Sequence, residues 1–401
     1  MTGALEGVRV LDLSRVLAGP WATQLLADMG ASVIKVERPI EGDDTRHWGP
    51  PWIERNGHLW SAYYLAANRG KESIAIDIAT PAGQQLVRDL ARGCDVFVEN
   101  FKVGGLERYG LDEASLREVN PSIIYCSITG FGQDGPYRDR PGYDFIAQGM
   151  GGLMSVTGSL ESGPMKTGVA LSDIMTGLYA TISILAALVQ RANSREGAHL
   201  DIALLDVTVA TLANQALNYF ATGTNPARYG NAHPNIVPYQ SFRTADRGLN
   251  VAVGNDRQFL KLCQAIEKPE LGRDERFATN AARSRHKAEL DQILGPVFLS
   301  RSCRDWLSAL DDAGVPAGPI NDIADVFSDP HIVHRGLQIA HDHPEAGAIP
   351  GVASPIIFDG KRACADRYPP GLGEQGSDIL ARELGLDHAE IEALRTQGVI
   401  G

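Results

Sequence analysis

The sequence predicts an α/β fold built on an open, mainly parallel sheet, and two observations support this prediction. Short runs rich in Val, Ile and Leu alternate with longer helical segments up to about residue 130. This alternation is typical of strand–helix–strand units, whose strands pair in parallel. The 401 residues, 44% of them hydrophobic, are also enough for two domains or one elaborate α/β domain.

The first strand–helix–strand unit has predicted strands at residues 8–13 and 32–37, with a helix over about 21–29 between them. The loop after the first strand lacks the G-x-G-x-x-G pattern, so the usual dinucleotide-binding motif is absent. Residues 40–69 are irregular and long for a connection, and long loops in compact domains are often functional.

Further strands and helices continue the alternation. Strands are predicted at residues 73–78, 95–99 and 122–128, and helices at 80–92, 114–119, about 144–149, 174–190 and 206–220. Residues 199–205 fit either a strand or the start of a helix. Because ligands of open α/β sheets bind at the carboxyl ends of the strands, polar residues that follow these strands are the candidate contacts.

A change of composition to Gly, Asn and Pro at residues 222–238 predicts a linker. It separates a large domain, residues 1–221, from a smaller α+β domain, residues 239–325. The small domain has predicted strands near 240–243 and 250–253 and helices near 257–267, 284–298 and 301–313. Residues 326–401 form a connection that ends in helices near 379–384 and 388–394.

Charge and cysteine usage exclude several classes of protein. The net charge of −12 argues against general nucleic-acid binding, although it permits a local basic pocket for a small anion. The five cysteines are scattered, which argues against a metal site or a disulfide framework and fits a reducing compartment. There is no signal-peptide pattern, and the apolar run after Asp173 is shorter than the roughly 20 residues of a membrane span. We therefore predict a cytoplasmic protein.

Asp173 lies where a short apolar stretch turns into an almost wholly apolar helix. Such a helix is buried on most faces, so this carboxylate lies at the edge of a hydrophobic core. One interpretation is that Asp173 caps the helix. The other is that the helix field keeps the carboxylate ionised and directed at a cleft, as a nucleophile. Both interpretations can hold together.

Other polar groups follow predicted strands. They are residues 16–20, Arg38, Asn100-Phe101-Lys102 with Arg108, and residues 141–144. Arginine and lysine around one crevice suit a phosphorylated ligand. Taken singly, a strand-end arginine is more often a solvated loop residue, and an Asn-Phe pair is more often a turn with a packed ring.

Several of these stretches together carry a family resemblance. They are LEGVRVLD at residues 5–12, GASVIKVERP at 30–39, GDDTR at 42–46, VENF at 98–101, SITGFG at 127–132 and GGLMSVTG at 151–158. With them the sequence resembles the class III coenzyme A transferases from end to end. The resemblance implies a large Rossmann-like domain made from both chain ends, a small domain between them, and a homodimer of two interlocked rings.

The resemblance also implies a site. Asp173 matches the family's nucleophile, and the matching CoA-binding positions are Leu17, Ala18, Arg38, Asn100, Phe101, Lys102 and Arg108. Family members often carry a basic residue where this chain has Pro141 and Ala79, and their glycine-rich loop is reduced here to residues 253–255. The substrates implied are an acyl-CoA and a small carboxylic acid, exchanged through an aspartyl anhydride and an aspartyl-CoA thioester, with no metal and no permanently bound cofactor.

Two alternatives remain open at this point. Related racemases use a His-Asp pair where this chain has Tyr143-Asp144, and a tyrosine does not readily replace a base poised near neutral pH. A CoA-binding protein without activity would need Asp173 only as a cap. Stretches at 15–20, 42–51 and 233–240 most resemble family members that use succinyl-CoA and glutarate, which predicts a dicarboxylate substrate. The candidate substrate contacts are Arg46, Tyr143, Asp144, His233, Gly254 and Asn255.

Overall fold

A computed structural model describes residues 3–55, 57–344 and 346–401. The strands in this part of the chain are β1 (Arg9–Asp12), β2 (Ser32–Glu37), β3 (Trp52–Arg55), β4 (His58–Ser61), β5 (Lys71–Ala75), β6 (Val96–Glu99), β7 (Ile124–Thr129), β8 (Ala198–Ala203), β9 (Tyr239–Arg243), β10 (Gly248–Ala252), β11 (Ala317–Pro319), β12 (Gln338–His343), β13 (Gly347–Val352), β14 (Ile357–Phe358) and β15 (Lys361–Arg362).

The helices alternate with these strands over the first part of the chain. They are α1 (Ala18–Asp28), α2 (Ala62–Leu65), α3 (Pro81–Arg92), α4 (Glu113–Val119), α5 (Asp144–Met150), α6 (Leu153–Val156), α7 (Leu171–Ser194), α8 (Leu204–Ala210), α9 (Asn214–Thr222), α10 (Asp256–Ala265), α11 (Asn280–Arg285), α12 (Lys287–Leu299), α13 (Cys303–Ala313), α14 (Ile323–Ser328), α15 (Pro330–His334), α16 (Gly376–Leu384) and α17 (His388–Thr396). Short 3₁₀ turns lie at Asp44–His47, Glu107–Tyr109 and Pro269–Arg273.

The chain divides into two compact units. The first comprises Leu153 and the residues before it, Lys166–Ala213 and His331–Gly401. The second comprises Met154–Met165 and Asn214–Pro330. The second unit thus starts before the predicted linker at 222–238 and includes a short segment from the middle of the predicted large domain. Composition cannot reveal that segment, because nothing local marks it as separate.

The first unit is built on one parallel sheet of six strands, in the order β5-β2-β1-β6-β7-β8. This confirms the predicted fold class. Successive residues of a strand point to opposite faces, and β1 shows it: Leu11 belongs to one core cluster and Val10 to the other. One cluster includes residues of α3, α4, α16 and α17, whereas the other includes residues of α1 and α7.

The second unit has its own core. Its sheet is antiparallel, in the order β11-β10-β9, and it packs with α10, α12 and α13. The core includes Phe242, Leu249, Phe259 and Trp306, all buried. Strands β9 and β10 and helices α10, α12 and α13 lie within a few residues of the predicted ones, whereas β11 and α14 were not predicted.

Helix α7 differs from the prediction in length. It spans 24 residues, so it begins three residues before and ends four residues after the predicted helix at 174–190. Among the described helices it alone is long and apolar enough to cross a membrane, judged by length and composition. Core helices pass the same test, and Ala180, Ile184 and neighbouring residues of α7 pack into a core cluster, so the evidence for a span is weak.

Two other segments also differ. The predicted helix over 206–220 is divided into α8 and α9 at residues 211–213, where Ala213 has a φ of 46°, outside the helical range. The irregular stretch 40–69 contains the hairpin β3–β4 and the single-turn helix α2. Short elements of this kind carry too few apolar residues for their periodicity to stand out.

Candidate active site

The first unit contains a cavity of about 570 Å³ at the carboxyl edge of its sheet, a volume in the range of small-molecule sites. Most of its lining residues lie in the segments 13–18, 36–44, 76–79, 100–109 and 128–143, at or after the ends of β1, β2, β5, β6 and β7. Asp173 of α7 and Leu204 of α8 also line it. The position is the one at which open α/β sheets bind their ligands.

This cavity is lined by nine of the residues that were predicted from the sequence as site residues. They are Leu17, Ala18, Arg38, Asn100, Phe101, Lys102, Arg108, Tyr143 and Asp173. Ala79 and Pro141, which stand at the positions where the family often has a basic residue, also line it. The structure therefore brings together residues that are far apart in the sequence, while their contacts with a ligand stay predictions.

Two predicted residues of this unit, Arg46 and Asp144, do not line the cavity, and Arg46 uses its guanidinium elsewhere. Its Nε and Nη2 donate to the Glu37 carboxylate at 2.8 and 2.7 Å, and Nη2 also donates to the Tyr64 hydroxyl and the Pro370 carbonyl. The side chain is only 12% exposed and is not among the residues that line the cavity. This geometry favours a structural role for Arg46 over contact with a substrate carboxylate.

Three predicted residues, His233, Gly254 and Asn255, belong to the second unit. His233 Nδ1 accepts a hydrogen bond from the backbone N–H of Asn235 at 3.0 Å, a local loop contact. Asn255 caps α10 by accepting from the backbone N–H of Gln258 at 2.9 Å. Both contacts stabilise backbone that lacks other partners, as caps do.

The loop between β1 and α1 is held in place by a buried ion pair. Lys35 Nζ donates to Asp43 at 2.9 Å and to the Ser14 carbonyl at 2.8 Å, and both charged side chains are fully buried. The backbone N–H of Val16 points at the Asp43 carboxylate at 3.3 Å, and Val16 has a φ of 71°, which is rare for a β-branched residue. The Asp43 side chain therefore fixes a strained turn in the wall of the cavity.

Burial would raise the pKa of Asp43, but the Lys35 charge and hydrogen bonds from Lys35 and Thr45 outweigh it and lower that pKa to about 2. A second buried pair lies beside the first, where Lys71 Nζ contacts Asp12 at 3.0 Å. These pairs were not predicted, because a lysine in an apolar strand gives no sign of which carboxylate it will meet.

Asn100 joins two walls of the cavity. Its side-chain oxygen accepts from the backbone N–H of Arg15 at 2.9 Å, and its amide donates to the Arg15 carbonyl at 2.7 Å. The Arg15 guanidinium lies 5.2 Å from the centre of the Phe101 ring. The Asn-Phe pair predicted as a ligand contact is thus also a structural link between the loops after β1 and β6.

The cavity has a basic rim. Its cationic side chains are Arg15, Arg38, Lys102, Arg108, Arg138 and Arg140. Arg38 is exposed and shared between Glu41 and Asp44, at 3.2 and 2.9 Å, so acidic neighbours already partly neutralise it. Arg138 and Arg140 were not predicted as contacts. They lie within three residues of Pro141, the position at which family members often carry a basic residue.

Asp173 is the third residue of α7 and is partly exposed in the cavity. It does not cap the helix, which corrects one of the two interpretations above. The cap is Asp144, whose Oδ1 accepts from the backbone N–H groups of Ser172 at 2.8 Å and Asp173 at 3.4 Å. Gln148 Nε2 holds the other Asp144 oxygen at 2.8 Å. The capping carboxylate therefore comes from a neighbouring helix, α5.

Gly177 allows α1 and α7 to approach closely. A Cβ atom at this position would lie 2.7 Å from the Ala18 carbonyl oxygen and 3.1 Å from the side chain of Trp21. Only glycine tolerates such an approach. The close packing brings the start of α1, with Leu17 and Ala18, next to the turn of α7 that carries Asp173.

The charge state of Asp173 also differs from the expectation that the helix field keeps it ionised. Burial and the nearby Asp144 charge raise the pKa of Asp173 to about 7. Among the described residues, Asp173 forms no ion pair with a lysine, arginine or histidine. Loss of water and a like charge thus raise this pKa although Asp173 lies in the first turn of α7.

Tyr63 is a residue near Asp173 that the sequence did not reveal. Burial raises the pKa of Tyr63 to about 12, with further contributions from the charges of Asp173 and Asp144. Its phenol therefore stays protonated and can donate a hydrogen bond, although Tyr63 is not among the residues that line the cavity. Trp48 packs edge-on against it, with ring centres 5.0 Å apart. Both residues lie in the irregular stretch 40–69.

The described residues contain no group of three or more His, Cys, Asp or Glu side chains arranged to hold a metal ion. The five cysteines are unpaired, and four of them are buried. The groups that the cavity offers to a ligand are a carboxylate and a basic rim.

Comparison with known proteins shows the family of this chain. The model of CoA-transferase family III matches residues 5–376. A succinate–glutarate CoA-transferase of Agrobacterium fabrum is 53% identical over 379 residues, which cover 94% of this chain and 95% of that protein. A succinyl-CoA:glutarate CoA-transferase of Mus musculus is 44% identical over 99% of this chain and 90% of that protein. The crystal structure of a CAIB/BAIF family protein from Brucella suis superposes with a TM-score of 0.86 at 50% identity, covering 96% of this chain and all of that one. The chain therefore belongs to CoA-transferase family III, enzymes that transfer CoA between an acyl-CoA and a carboxylate.

Proposed function

We propose that this enzyme moves CoA from succinyl-CoA to a dicarboxylic acid such as glutarate, in the cytoplasm, with Asp173 as the nucleophile. The observation that carries the nucleophile is the position of Asp173, a carboxylate in the cavity with no cationic partner among the described residues. A carboxylate neutralised by a salt bridge would be a poorer nucleophile. The names of the relatives in Agrobacterium fabrum and Mus musculus support the choice of substrates.

The proposed chemistry runs in two symmetrical halves. The Asp173 carboxylate attacks the thioester carbonyl of succinyl-CoA, the C–S bond breaks, and a succinyl–aspartyl anhydride and CoA thiolate result. The thiolate then attacks the aspartyl carbonyl of the anhydride and expels succinate, which leaves an aspartyl-CoA thioester. Glutarate attacks this thioester and the same steps run in reverse, so that Asp173 is regenerated and glutaryl-CoA leaves. No metal, ATP or bound cofactor is needed.

The basic rim suits the phosphates of CoA. Arg38, Lys102 and Arg108 follow different strands and line one cavity, where phosphates gain most from several cations. Backbone N–H groups at the start of α1, beside Leu17 and Ala18, are donors for the oxyanions that form at Asp173. In this proposal the Tyr63 hydroxyl donates a hydrogen bond to the substrate carboxylate and keeps its proton.

The substrate proposal is tested with a panel of acids. Succinyl-CoA is incubated with glutarate, itaconate, malate, mesaconate, 3-hydroxy-3-methylglutarate and the monoacid butyrate, and the acyl-CoA products are measured by mass spectrometry. We expect a dicarboxyl-CoA product, with at least one diacid preferred over butyrate. Failure of every diacid, or a preference for butyrate, would contradict the proposal.

A diacid keeps a second carboxylate away from the reacting carbon, and burying that charge unpaired is costly. His233 remains our candidate to contact it, because Asn235 uses Nδ1 and leaves Nε2 without a partner among the described residues. His233→Ala should lose activity with diacids while retaining activity with butyrate. Equal losses with both kinds of acid would show that His233 only shapes its loop.

We also propose that the enzyme is a homodimer, in the interlocked arrangement that the sequence resemblance implies. Helix α7 exposes Leu178, Ile182 and Val189, which are 37%, 61% and 69% exposed. Helix α5 exposes Phe145, Ile146 and Met150. We assign these exposed apolar side chains to the dimer interface, because contiguous exposed apolar surface marks interaction sites. Light scattering should give twice the chain mass of 43.1 kDa, and Ile182→Asp should weaken the dimer.

A further inference from the structure

A second, smaller cavity of about 220 Å³ lies behind the loop that follows β6. The loop residues Lys102, Val103 and Gly105 line both this cavity and the larger one. The loop is therefore a thin wall between the candidate CoA site and a separate polar space. We therefore expect contacts that fix the position of this loop to affect the affinity for CoA.

Glu99, the last residue of β6, holds the wall from the side of the small cavity. It is 5% exposed, and its Oε2 accepts a hydrogen bond from the backbone N–H of Phe101 at 2.7 Å. Phe101 and Lys102 line the larger cavity, whereas Glu99 lies outside it. The carboxylate thus contacts the CoA loop without being placed to touch CoA itself.

Two side chains on the neighbouring strands connect Glu99 to the surface. Ser127 of β7 is buried and lies opposite Glu99 in the register of β6 and β7, and its hydroxyl lies 3.0 Å from Nε2 of His199 on β8. His199 is exposed, so Ser127 and His199 lie between the Glu99 carboxylate and solvent. The order differs from a Ser-His-acid hydrolase, because the acid here contacts the serine and not the imidazole.

We propose that Glu99 is a positioning residue whose ionised carboxylate fixes the Phe101–Lys102 backbone, so that loss of its proton strengthens the binding of CoA. A hydrogen bond to an ionised acceptor is stronger than one to a neutral acid. The inference rests on the proposed function only in that the larger cavity must hold CoA. It adds a role for a residue that the transfer chemistry does not use.

The groups around Glu99 place its titration in the physiological range. The titratable and charged side chains that face it or line its cavity are Tyr125, Cys126, His199, Asp201, Lys102, Glu107, Asp112, Glu113 and Arg138. Burial raises the pKa of Glu99 to about 7, with a further upward contribution from Asp201, against hydrogen bonds from Ser127 and Phe101 that lower it. The ionised fraction of Glu99 therefore increases as the pH rises through about 7.

The test is equilibrium binding of free CoA to the Asp173→Asn protein between pH 6 and pH 8.5. The background substitution removes the titration of the nucleophile. We expect the Kd to fall about tenfold as the pH rises, because the clamp changes from a neutral to a charged hydrogen bond. Adding Glu99→Gln, which keeps an acceptor but cannot ionise, should remove this change. The difference between the two curves cancels the titration of the CoA phosphates, whose second pKa is about 6.

Two further variants make the test decisive. Asp201→Asn keeps an acceptor for the Gln133 backbone but removes the nearby charge, so it should move the transition to lower pH. Glu107→Gln changes an exposed carboxylate of the same small cavity and should keep the original curve. If Glu99→Gln fails to fold, the shift in Asp201→Asn still tests the proposal.

Identical pH curves with Glu99 and with Gln at position 99, or an unmoved transition in Asp201→Asn, would overturn the inference. A role in fold stability alone would lower the midpoint of thermal unfolding without changing the pH profile of binding. Absence of CoA binding at every pH would contradict the proposed function instead, so the two failures are distinguishable.

Discussion

Asp43 and Asp173 are both withdrawn from water beside the same cavity, and their chemistry is opposite. Asp43 is paired with Lys35 and accepts hydrogen bonds from Thr45, which lower its pKa to about 2. Asp173 has no such cation and faces Asp144, so its pKa rises to about 7. Asp43, which fixes the loop between β1 and α1, is neutralised by Lys35. Asp173, which we expect to react, has no cationic partner among the described residues. The contrast separates structure from reactivity in this site.

The largest effect should come from Asp173→Ala. Without the carboxylate neither the anhydride nor the thioester can form, so kcat should fall by at least about 10³-fold. The protein should stay folded, because Asp144 and not Asp173 caps α7. Activity and thermal unfolding measured on the same preparation check both statements. Substantial activity in the folded variant would eliminate the covalent mechanism.

Lys35→Met should show what the compensated carboxylate contributes. It leaves Asp43 buried without its cation, so the free energy of unfolding should fall by about 3–5 kcal/mol. Lys268→Met is the matched control, since its contact with Glu270 is exposed and 4.0 Å long, and it should cost less than about 1 kcal/mol. Chemical denaturation compares the two. Equal losses would mean that burial of the Lys35–Asp43 pair adds nothing.

The pH dependence of kcat/KM for succinyl-CoA should sharpen the contrast. This ratio reports groups of the free enzyme, so it should rise through about pH 7 as Asp173 loses its proton. Asp144→Asn keeps a cap acceptor but removes the like charge, which should move this limb to lower pH. If the rise of kcat/KM with pH is at the same pH in Asp144→Asn as in the native enzyme, the titration belongs to a group other than Asp173.

Stability should show the reverse trend for Asp173. Its folded pKa lies above its unfolded value of 3.8, so the native state binds the extra proton between about pH 4 and 7. The contribution of Asp173 to the free energy of unfolding is therefore fully present below about pH 4. It is lost as the pH rises through about 7. Asp173→Asn should be more stable than the native protein at pH 8, by about 1–3 kcal/mol.

The smallest effect should come from the rim. Arg38→Ala should raise KM for succinyl-CoA by about five- to tenfold with little change in KM for the acid, because one of several phosphate contacts is lost. The effect is limited because Glu41 and Asp44 already share the guanidinium. Steady-state kinetics with each substrate varied in turn separates the two constants. Equal changes in both would make Arg38 a structural residue.

Sequence patterns predicted those parts of the molecule that depend on periodicity. The alternation around β1, β2, β6 and β7 predicted the parallel sheet, because residues buried on both faces of a sheet must be apolar in continuous runs. The position of Asp173 at the start of a long apolar helix was likewise visible in the sequence.

Pairing between distant side chains was not visible. Nothing local shows that Asp144 caps α7, that Glu37 and Tyr64 occupy Arg46, or that Glu99 holds the Phe101 backbone. Each of these contacts joins residues brought together by the fold or by a turn, and the first places the Asp144 charge beside Asp173. The pKa of Asp173 therefore differed from expectation although its place in the chain did not.

The central claim is that the uncompensated carboxylate of Asp173 is the nucleophile, and trapping tests it most directly. The enzyme is mixed with succinyl-CoA, quenched with hydroxylamine and digested, and the peptide that contains Asp173 is examined by mass spectrometry. The account predicts a hydroxamate on Asp173 that forms only when succinyl-CoA is present. An unmodified Asp173 in enzyme that is turning over under the same conditions, or a hydroxamate on another carboxylate, would contradict it.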